Sequence, residues 1–368
     1  MNFSLSEQDT EIRQLAQKFF GTECPLLQRA NHEELSRDLY RKMGDVGLFG
    51  IMVPEIRGGS AGTRFQAGLI AEAAGSELVP GPWLEHLWAI EMLLDVPDTK
   101  DGQWESFIQA HQLATIFFPP LGEASELWYS HEEQRLRGQI SRFSFVEHTD
   151  LWLVAVPNSD AVDILEISPD LPGITLSTVS SMDPLWRGAF VRFDQVKAKL
   201  LTILSFEQYE NLLANGSDLV SMAMYGAAQR VLDMTVDYLK TRQQFGRTIG
   251  SFQALKHKVS DLFIELEHAG SLVYAAAGSD DRAMQRRWSH MAAIEMGRVY
   301  RHAAESAIQL HGGIGFTTSL PLHYFLKNAW TSGWRAGSES YHQKWLMKEF
   351  GLDYGDTAQE RPTAFKSS

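Results

Sequence analysis

Three changes of period divide the chain. From residue 1 to about 112, apolar residues recur three and four apart, the stripe that one face of a helix requires. Ser6 stands as an N-cap with Glu7 and Asp9 in the first turn, and Ile12, Leu15, Phe19 and Phe20 follow on the apolar side. A second run, Leu39 to Val46, leads into the glycine-rich stretch GLFGIMVPEIRGGSAGT. A third, Phe65 to Ala74, ends before SELVPGPW, where two prolines punctuate the chain. From about 113 to 205 the period shortens to that of strands. The runs Ala114–Phe118, Leu136–Phe145, Leu151–Val156, Val162–Ile167 and Ala189–Phe193 are separated by Pro, Gly, Asp and Ser, as in an antiparallel sandwich or barrel. Helical spacing returns from about 206, and Asp218–Lys240 and Met284–Leu310 carry wide apolar faces suited to a packed bundle. The pattern predicts a mainly α chain with a β middle domain: helices over 1–112, strands over 113–205, a helical bundle over 206–352 and a flexible tail over 353–368.

Composition narrows the chemistry. A net charge of −13 over 368 residues argues against a nucleic-acid binder, because phosphate contacts need clustered Lys and Arg. No stretch reaches the ~18 apolar residues of a membrane span, so no membrane insertion is expected. The polar, helix-like start MNFSLSEQDTEIRQLAQ lacks the pattern of a secretory signal, which predicts a cytoplasmic protein. Cys24 is the single cysteine, which excludes an internal disulfide and a thiolate metal cluster. His86, His257, His290 and His302 fall on helical stretches without metal-ligand spacing, so no metal is expected.

Two segments carry the chemistry. The first is Thr241-Arg242-Gln243-Gln244-Phe245-Gly246-Arg247-Thr248-Ile249-Gly250-Ser251-Phe252-Gln253, which closes one long helix; the second, Gln309-Leu310-His311-Gly312-Gly313-Ile314-Gly315-Phe316, closes another. Arg242 offers a rigid fork of donors that suits a pyrophosphate, and Phe245 a flat apolar face for a nucleotide. Gly312, Gly313 and Gly315 let backbone approach a ligand closely, and Gln309 can hydrogen-bond polar groups. Read singly, Arg242 is a surface cation and Gly312-Gly313 a helix C-cap. The glycines follow a helix rather than a strand, which argues against a Rossmann turn.

Taken together the two segments resemble the R-x-x-F-G-x-x-I and Q-x-x-G-G-x-G signatures of the acyl-CoA dehydrogenase family. GLFGIMVPEIRGG at 47–59 resembles that family's N-terminal loop, and the three-zone layout matches its fold. The resemblance covers the chain to about residue 352. It implies FAD as cofactor, bound across a subunit interface through Arg242, Phe245, Gln253, Gln309, Gly312 and Gly313. Ser144 falls where the family commonly carries a threonine hydroxyl near the flavin. Ser338 replaces a threonine that faces the cofactor. The implied substrate is an acyl-CoA thioester, with an electron-transfer flavoprotein or oxygen open as final acceptor.

The chain departs from the pattern where the chemistry is most demanding. Desaturation removes an α-proton, so a carboxylate must reach that carbon. Relatives carry this base in a loop near the C-terminus or near the start of the first bundle helix. The matching positions are Ala336, in Trp334-Arg335-Ala336-Gly337-Ser338, and Gly216. Asp218 and Glu339 lie two and three positions away and are the candidate displaced bases; their structural alternatives are a helix cap and a solvated charge. Phe117-Phe118-Pro119-Pro120-Leu121-Gly122-Glu123 also replaces the family's polar flavin-contacting run. The expectation is a base-less subunit that pairs with a base-carrying paralogue in a hetero-oligomer. A homo-oligomeric dehydrogenase using a displaced acid and a non-catalytic flavin-binding scaffold are the alternatives.

Overall fold

The computed structural model describes residues 5–28, 35–94, 96, 101–121, 126–335 and 337–352. Among the described residues, five helices open the chain: α1 (Glu7–Glu23), α2 (Arg37–Asp45), α3 (Arg64–Ser76), α4 (Trp83–Leu94) and α5 (Asp101–Ile108). The start of α1 is closed by a reciprocal capping box between Ser6 and Asp9. Thr63 and Gln66 repeat the device at α3.

Among the described residues, eight strands form the middle of the chain: β1 (Ala114–Phe117), β2 (Trp128–Ser130), β3 (Arg135–Ser144), β4 (Leu151–Pro157), β5 (Val162–Ile167), β6 (Ile174–Val179), β7 (Gly188–Lys197) and β8 (Lys199–Leu204). They make two four-stranded sheets, ordered β1-β4-β5-β8 and β2-β3-β7-β6. The sheets enclose their own core, including Leu136, Phe143, Trp152, Leu165 and Phe193. One pair, β1 with β4, is parallel; every other neighbour in the two sheets runs antiparallel. The expected all-antiparallel arrangement needs that correction, and the reason is that β1 enters directly from the helical region beside α4 rather than from a hairpin.

The remainder is helical: α6 (Phe206–Thr241), a short hairpin of β9 (Gln243–Gln244) and β10 (Arg247–Thr248), α7 (Gln253–Ala277), α8 (Arg282–His311), α9 (Leu322–Ser332) and α10 (Glu339–Glu349). Helices α6, α7, α8 and α9 pack as a bundle, and α6 also packs along α3. One apolar core runs from α1 through α4 into this bundle and takes in residues of β1, β4 and β5.

Other local readings are corrected. Helix α6 begins at Phe206, capped by Ser205 and Gln208, and not at Asp218. Asn215-Gly216-Ser217 reads locally as a break, yet burial against α4 carries the helix through it, so Asp218 is an interior residue rather than a cap. Trp83 starts a helix inside what reads as a Pro/Gly interruption, and α4 is buried almost along its whole length. Strands β2, β6 and β8 fall outside the runs that the sequence predicts as strands. β6 lies at a sheet edge and is mostly exposed, so no in–out alternation marks it. The tail and residues 122–125 lie outside the described residues.

Candidate cofactor and substrate site

Helix α4, strands β1 and β3 and the turn between α9 and α10 converge on a cavity of about 640 Å³, termed here the central cavity. Its apolar wall comes from Trp88, Ile116, Phe117, Phe118 and Pro119, and its polar groups from Ser144, Ser180, Ser181 and Ser338. Such a volume, walled by aromatic and apolar side chains and edged by hydroxyls, two arginines and two carboxylates, can take a planar heteroaromatic ring. Ser144 sits at the end of β3 with its hydroxyl on this wall. Its Oγ accepts a hydrogen bond from Trp186 Nε1 at 3.0 Å, and its carbonyl accepts one from Thr115 Oγ1 at 2.7 Å. Ser338 is the N-cap of α10, where its Oγ accepts from Tyr341 N at 3.1 Å. Across the cavity the Arg142 guanidinium lies 4.9 Å from the Trp334 ring centre.

The turn before α10 is gripped from both sides. Arg335 donates to Glu85 of α4 in a bidentate arrangement, with Nε–Oε1 at 3.1 Å, Nη2–Oε1 at 2.8 Å and Nη2–Oε2 at 2.7 Å. Both side chains are largely buried, 15% and 5% exposed. On the other side Gly337 holds φ at 121°, and a Cβ there would meet the Tyr341 ring at 2.6 Å. Tyr341 Oη donates to Glu210 at 3.2 Å. Burial raises the Glu210 carboxyl above its usual range, against the hydrogen bonds from Tyr341 and Trp345. His342, beneath Gly337, shares a 2.9 Å Nδ1–Nδ1 hydrogen bond with His290; burial pushes His342 down to about 4 and His290 down further. Both imidazoles are therefore neutral at physiological pH.

The sequence-predicted residues separate into two groups. Ser144 and Ser338 line the central cavity. Arg242, Phe245, Gln253, Gln309, Gly312 and Gly313 are all exposed at the surface. Phe245 and Gly246 hold φ at 54° and 76°, forming the tip of the β9–β10 hairpin and thrusting the phenyl ring outward at 89% exposure. A large apolar ring so displayed suits a ligand shared with another chain. Gly312 holds φ at 65°, and neither it nor Gly313 has a heavy atom within 4 Å of where a Cβ would stand, which leaves the backbone open to close approach.

Neither displaced acid lines the central cavity. Glu339 is exposed and pairs with Arg301 at 3.4 Å. Asp218 is buried, accepting hydrogen bonds from Ser289 Oγ at 2.6 Å and Gln285 Nε2 at 2.8 Å. Burial pushes its carboxyl up to about 7, against those two hydrogen bonds. Folded Asp218 thus keeps its proton where the unfolded chain has released it. Its contribution to stability is complete below about 3.8 and is lost as pH rises through about 7. Asp218→Asn is expected to flatten the fall in stability across that window, by an amount on the order of a few kcal/mol. Urea midpoints of both proteins at several pH values check this, and parallel slopes would exclude a buried neutral Asp218.

Of the two base positions, Ala336 lies outside the described residues. Gly216 lies under the indole of Trp88, and a Cβ at 216 would fall inside the van der Waals surface of that ring. A glutamate cannot project from that position while Trp88 holds its place. Among the described residues, the carboxylates on the central cavity are Glu85, held by Arg335, and the exposed Glu126, which accepts from Gln139. Glu85, Arg335, Trp88, Arg142 and Trp334 escaped sequence reasoning. The signal available was an acid inside the apolar run Trp83-Leu84-Glu85-His86-Leu87-Trp88.

Among the described residues no helix is long and apolar enough to cross a membrane, and no group of three or more His, Cys, Asp or Glu is placed to hold a metal. Residues 6–92 match the family model described as acyl-CoA dehydrogenase, N-terminal domain, and residues 206–350 the one described as acyl-CoA dehydrogenase, C-terminal domain. The chain is 25% identical over 363 residues to a probable acyl-CoA dehydrogenase of Bacillus subtilis, covering 89% of this chain and 94% of that protein. It is 28% identical over 287 residues to the acyl-CoA dehydrogenase IpdE2 of Mycolicibacterium smegmatis, covering 77% and 78%. Its fold is similar to the ChsE4-ChsE5 complex from Mycobacterium tuberculosis, with a TM-score of 0.85 at 20% identity, covering 96% of this chain and 100% of that one.

Proposed function

Because the chain belongs to the acyl-CoA dehydrogenase family, an FAD-dependent group of oxidoreductases acting on CH–CH bonds, we propose that it works as a subunit whose catalytic carboxylate comes from a partner chain. The observation that carries this reading is the Trp88 ring seated on Gly216, together with an alanine at the other base position. The family reaction takes a proton from the α-carbon of an acyl thioester while the β-hydrogen leaves as hydride, for which bound FAD supplies the acceptor. On this reading the central cavity takes the flavin ring against Ser144, Trp186 and Ser338. A neighbouring cavity of about 780 Å³, which shares Ser338 and carries Lys344, Lys348 and Trp345, takes the polar arm of the thioester. The exposed Arg242–Phe245 hairpin and Gln309 turn reach the flavin of the next subunit, so this chain would complete its partner's cofactor site. The ChsE4-ChsE5 complex, whose fold this chain resembles, joins two proteins, which supports a heteromeric arrangement.

A second reading, an autonomous dehydrogenase with a displaced acid, is favoured by one observation: the Glu85 carboxylate reaches the central cavity. Its bidentate contact with Arg335 opposes it, because a neutralised carboxylate is a weak base. The test is to purify the chain alone and co-expressed with a family member that carries a glutamate at either base position, then to add acyl-CoA without oxygen. Bleaching of the flavin absorbance is expected only in the co-expressed assembly. Bleaching by the chain alone overturns the partner requirement, and its loss in Glu85→Gln would then name the displaced base.

A further inference from the structure

Helix α3 begins at Arg64 and helix α8 at Arg282, and both arginines line a cavity of about 880 Å³, termed here the end cavity. Helix α6 contributes Gln208, Asn211, Leu212 and Asn215 to the same wall. The end cavity shares no lining residue with the central cavity or with the cavity that carries Lys344 and Lys348. Nothing in the proposed reaction uses it.

The hydrogen bonds on this wall do not balance. Asn215, 8% exposed, offers one amide oxygen with two lone pairs. Three donors converge on it: Arg64 Nη1 at 2.5 Å, Gln285 Nε2 at 2.8 Å and Arg282 Nη1 at 3.2 Å. That crowding fixes the amide with Oδ1 toward the donors, and its own Nδ2 has no acceptor among the described residues. Arg64 adds one contact, from Nη2 to the Ser279 carbonyl at 3.3 Å. Charge is no better matched. Of the three carboxylates on the wall, Asp9 is taken up by Ser6 Oγ at 2.7 Å and Gln66 Nε2 at 3.0 Å, and neither Glu91 nor Asp280 forms an ion pair with Arg64. Asp218, joined to Asn215 through Gln285, is pushed up to about 7 by burial and supplies only part of the missing charge near neutral pH. A guanidinium partly withdrawn from water without a counter-ion is costly.

We propose that the end cavity is a second ligand site, which takes an organic monocarboxylate with its carboxylate on Arg64, Arg282 and Asn215 Nδ2 and its apolar body against Phe65 and Tyr274. A carboxylate is acceptor-only, and its two oxygens can receive a guanidinium fork and an amide N–H together, which is what the wall lacks. Phe65 and Tyr274 meet edge to face at 5.4 Å on the same wall and give a compact apolar body a surface to pack on. Glu91 and Asp280 oppose a dianion more strongly than a monoanion, which favours a carboxylate over a phosphate. A ligand held there touches α3, α6 and α8 at once and ties the N-terminal helices to the bundle. The site stands apart from the flavin and acyl-CoA site, and the proposed function does not enter its argument.

The test uses the full chain loaded with FAD and three probes at matched ionic strength: benzoate, its uncharged analogue benzamide, and inorganic phosphate. Titration calorimetry reads binding, and flavin absorbance followed over the same titration reports whether the central cavity is the one filled. Benzoate is expected to bind with a Kd on the order of 1 mM or below, with no change in flavin absorbance. Benzamide is expected to bind about tenfold more weakly or worse, because it lacks the charge. Arg64→Gln and Arg282→Gln are each expected to weaken benzoate by about tenfold or more, since each removes a charge-assisted hydrogen bond. Arg282 is exposed, so its variant decides alone if Arg64→Gln does not fold. No binding of benzoate, equal binding of benzamide, or unchanged benzoate affinity in a folded variant overturns the site. A flavin response that tracks the heat places benzoate in the central cavity and overturns it too, as does phosphate binding in place of benzoate. None of these outcomes touches the acyl-CoA-dependent bleaching by which the proposed function is judged.

Discussion

Ala336→Glu is expected to let the chain desaturate an acyl-CoA by itself. The reaction lacks a group to receive the α-proton, and a positioned general base contributes about 10²–10⁴-fold to a rate of this kind. The flanks of position 336 are rigid: Arg335 is locked to Glu85, and Gly337 and Ser338 are fixed by close packing against Tyr341 and by the N-cap of α10. A glutamate at 336 restores a carboxylate at the position where relatives carry their base, between flanks that are already fixed. The other family position does not offer this. Gly216→Glu drives a side chain into the Trp88 ring, and overpacking of that kind costs about 1–3 kcal/mol or more. The two variants should therefore diverge, with Ala336→Glu gaining acyl-CoA-dependent flavin bleaching at unchanged stability and Gly216→Glu losing stability without gaining activity. Stopped-flow bleaching and a denaturation curve on each variant check the pair. Equal bleaching by unmodified protein would mean that a base is already present.

Local signals in the chain predict what is local. Ser6 caps α1 as its spacing requires, and Val162–Ile167 is a strand over the residues expected. The site itself is assembled from residues far apart in sequence. Arg335 meets Glu85 across 250 positions, and Trp88 meets Leu212 across 124. Neither pairing leaves a periodic trace. Gly216 illustrates the difficulty most directly. Between Asn215 and Ser217 it reads as a helix breaker, whereas in the folded chain it is the place where α6 must be thin for the indole to pass. Tertiary packing overrides propensity there, and the override is itself part of the site.

The largest stability effect is expected from the Glu85–Arg335 pair. Two charged side chains, 5% and 15% exposed, meet in three short contacts at the edge of an otherwise apolar wall. Desolvation has already been incurred by both ions, so deleting one leaves the other buried and unbalanced. Glu85→Ala or Arg335→Ala should each cost about 3–5 kcal/mol. Replacing both, as in Glu85→Leu with Arg335→Met, should recover most of that loss, because apolar side chains of similar volume need no compensation there. The non-additivity in a double-mutant cycle by urea denaturation is the measured quantity. Additive single and double effects would mean that water screens the pair, and the clamp on the 335–338 turn would then have to be sought in Tyr341 and His342 instead. If the coupling is large, the same cycle read by flavin bleaching in an Ala336→Glu background separates two roles of Glu85. Loss of bleaching in the stable double variant would mean that the ion pair positions the turn, and unchanged bleaching that it only holds the fold.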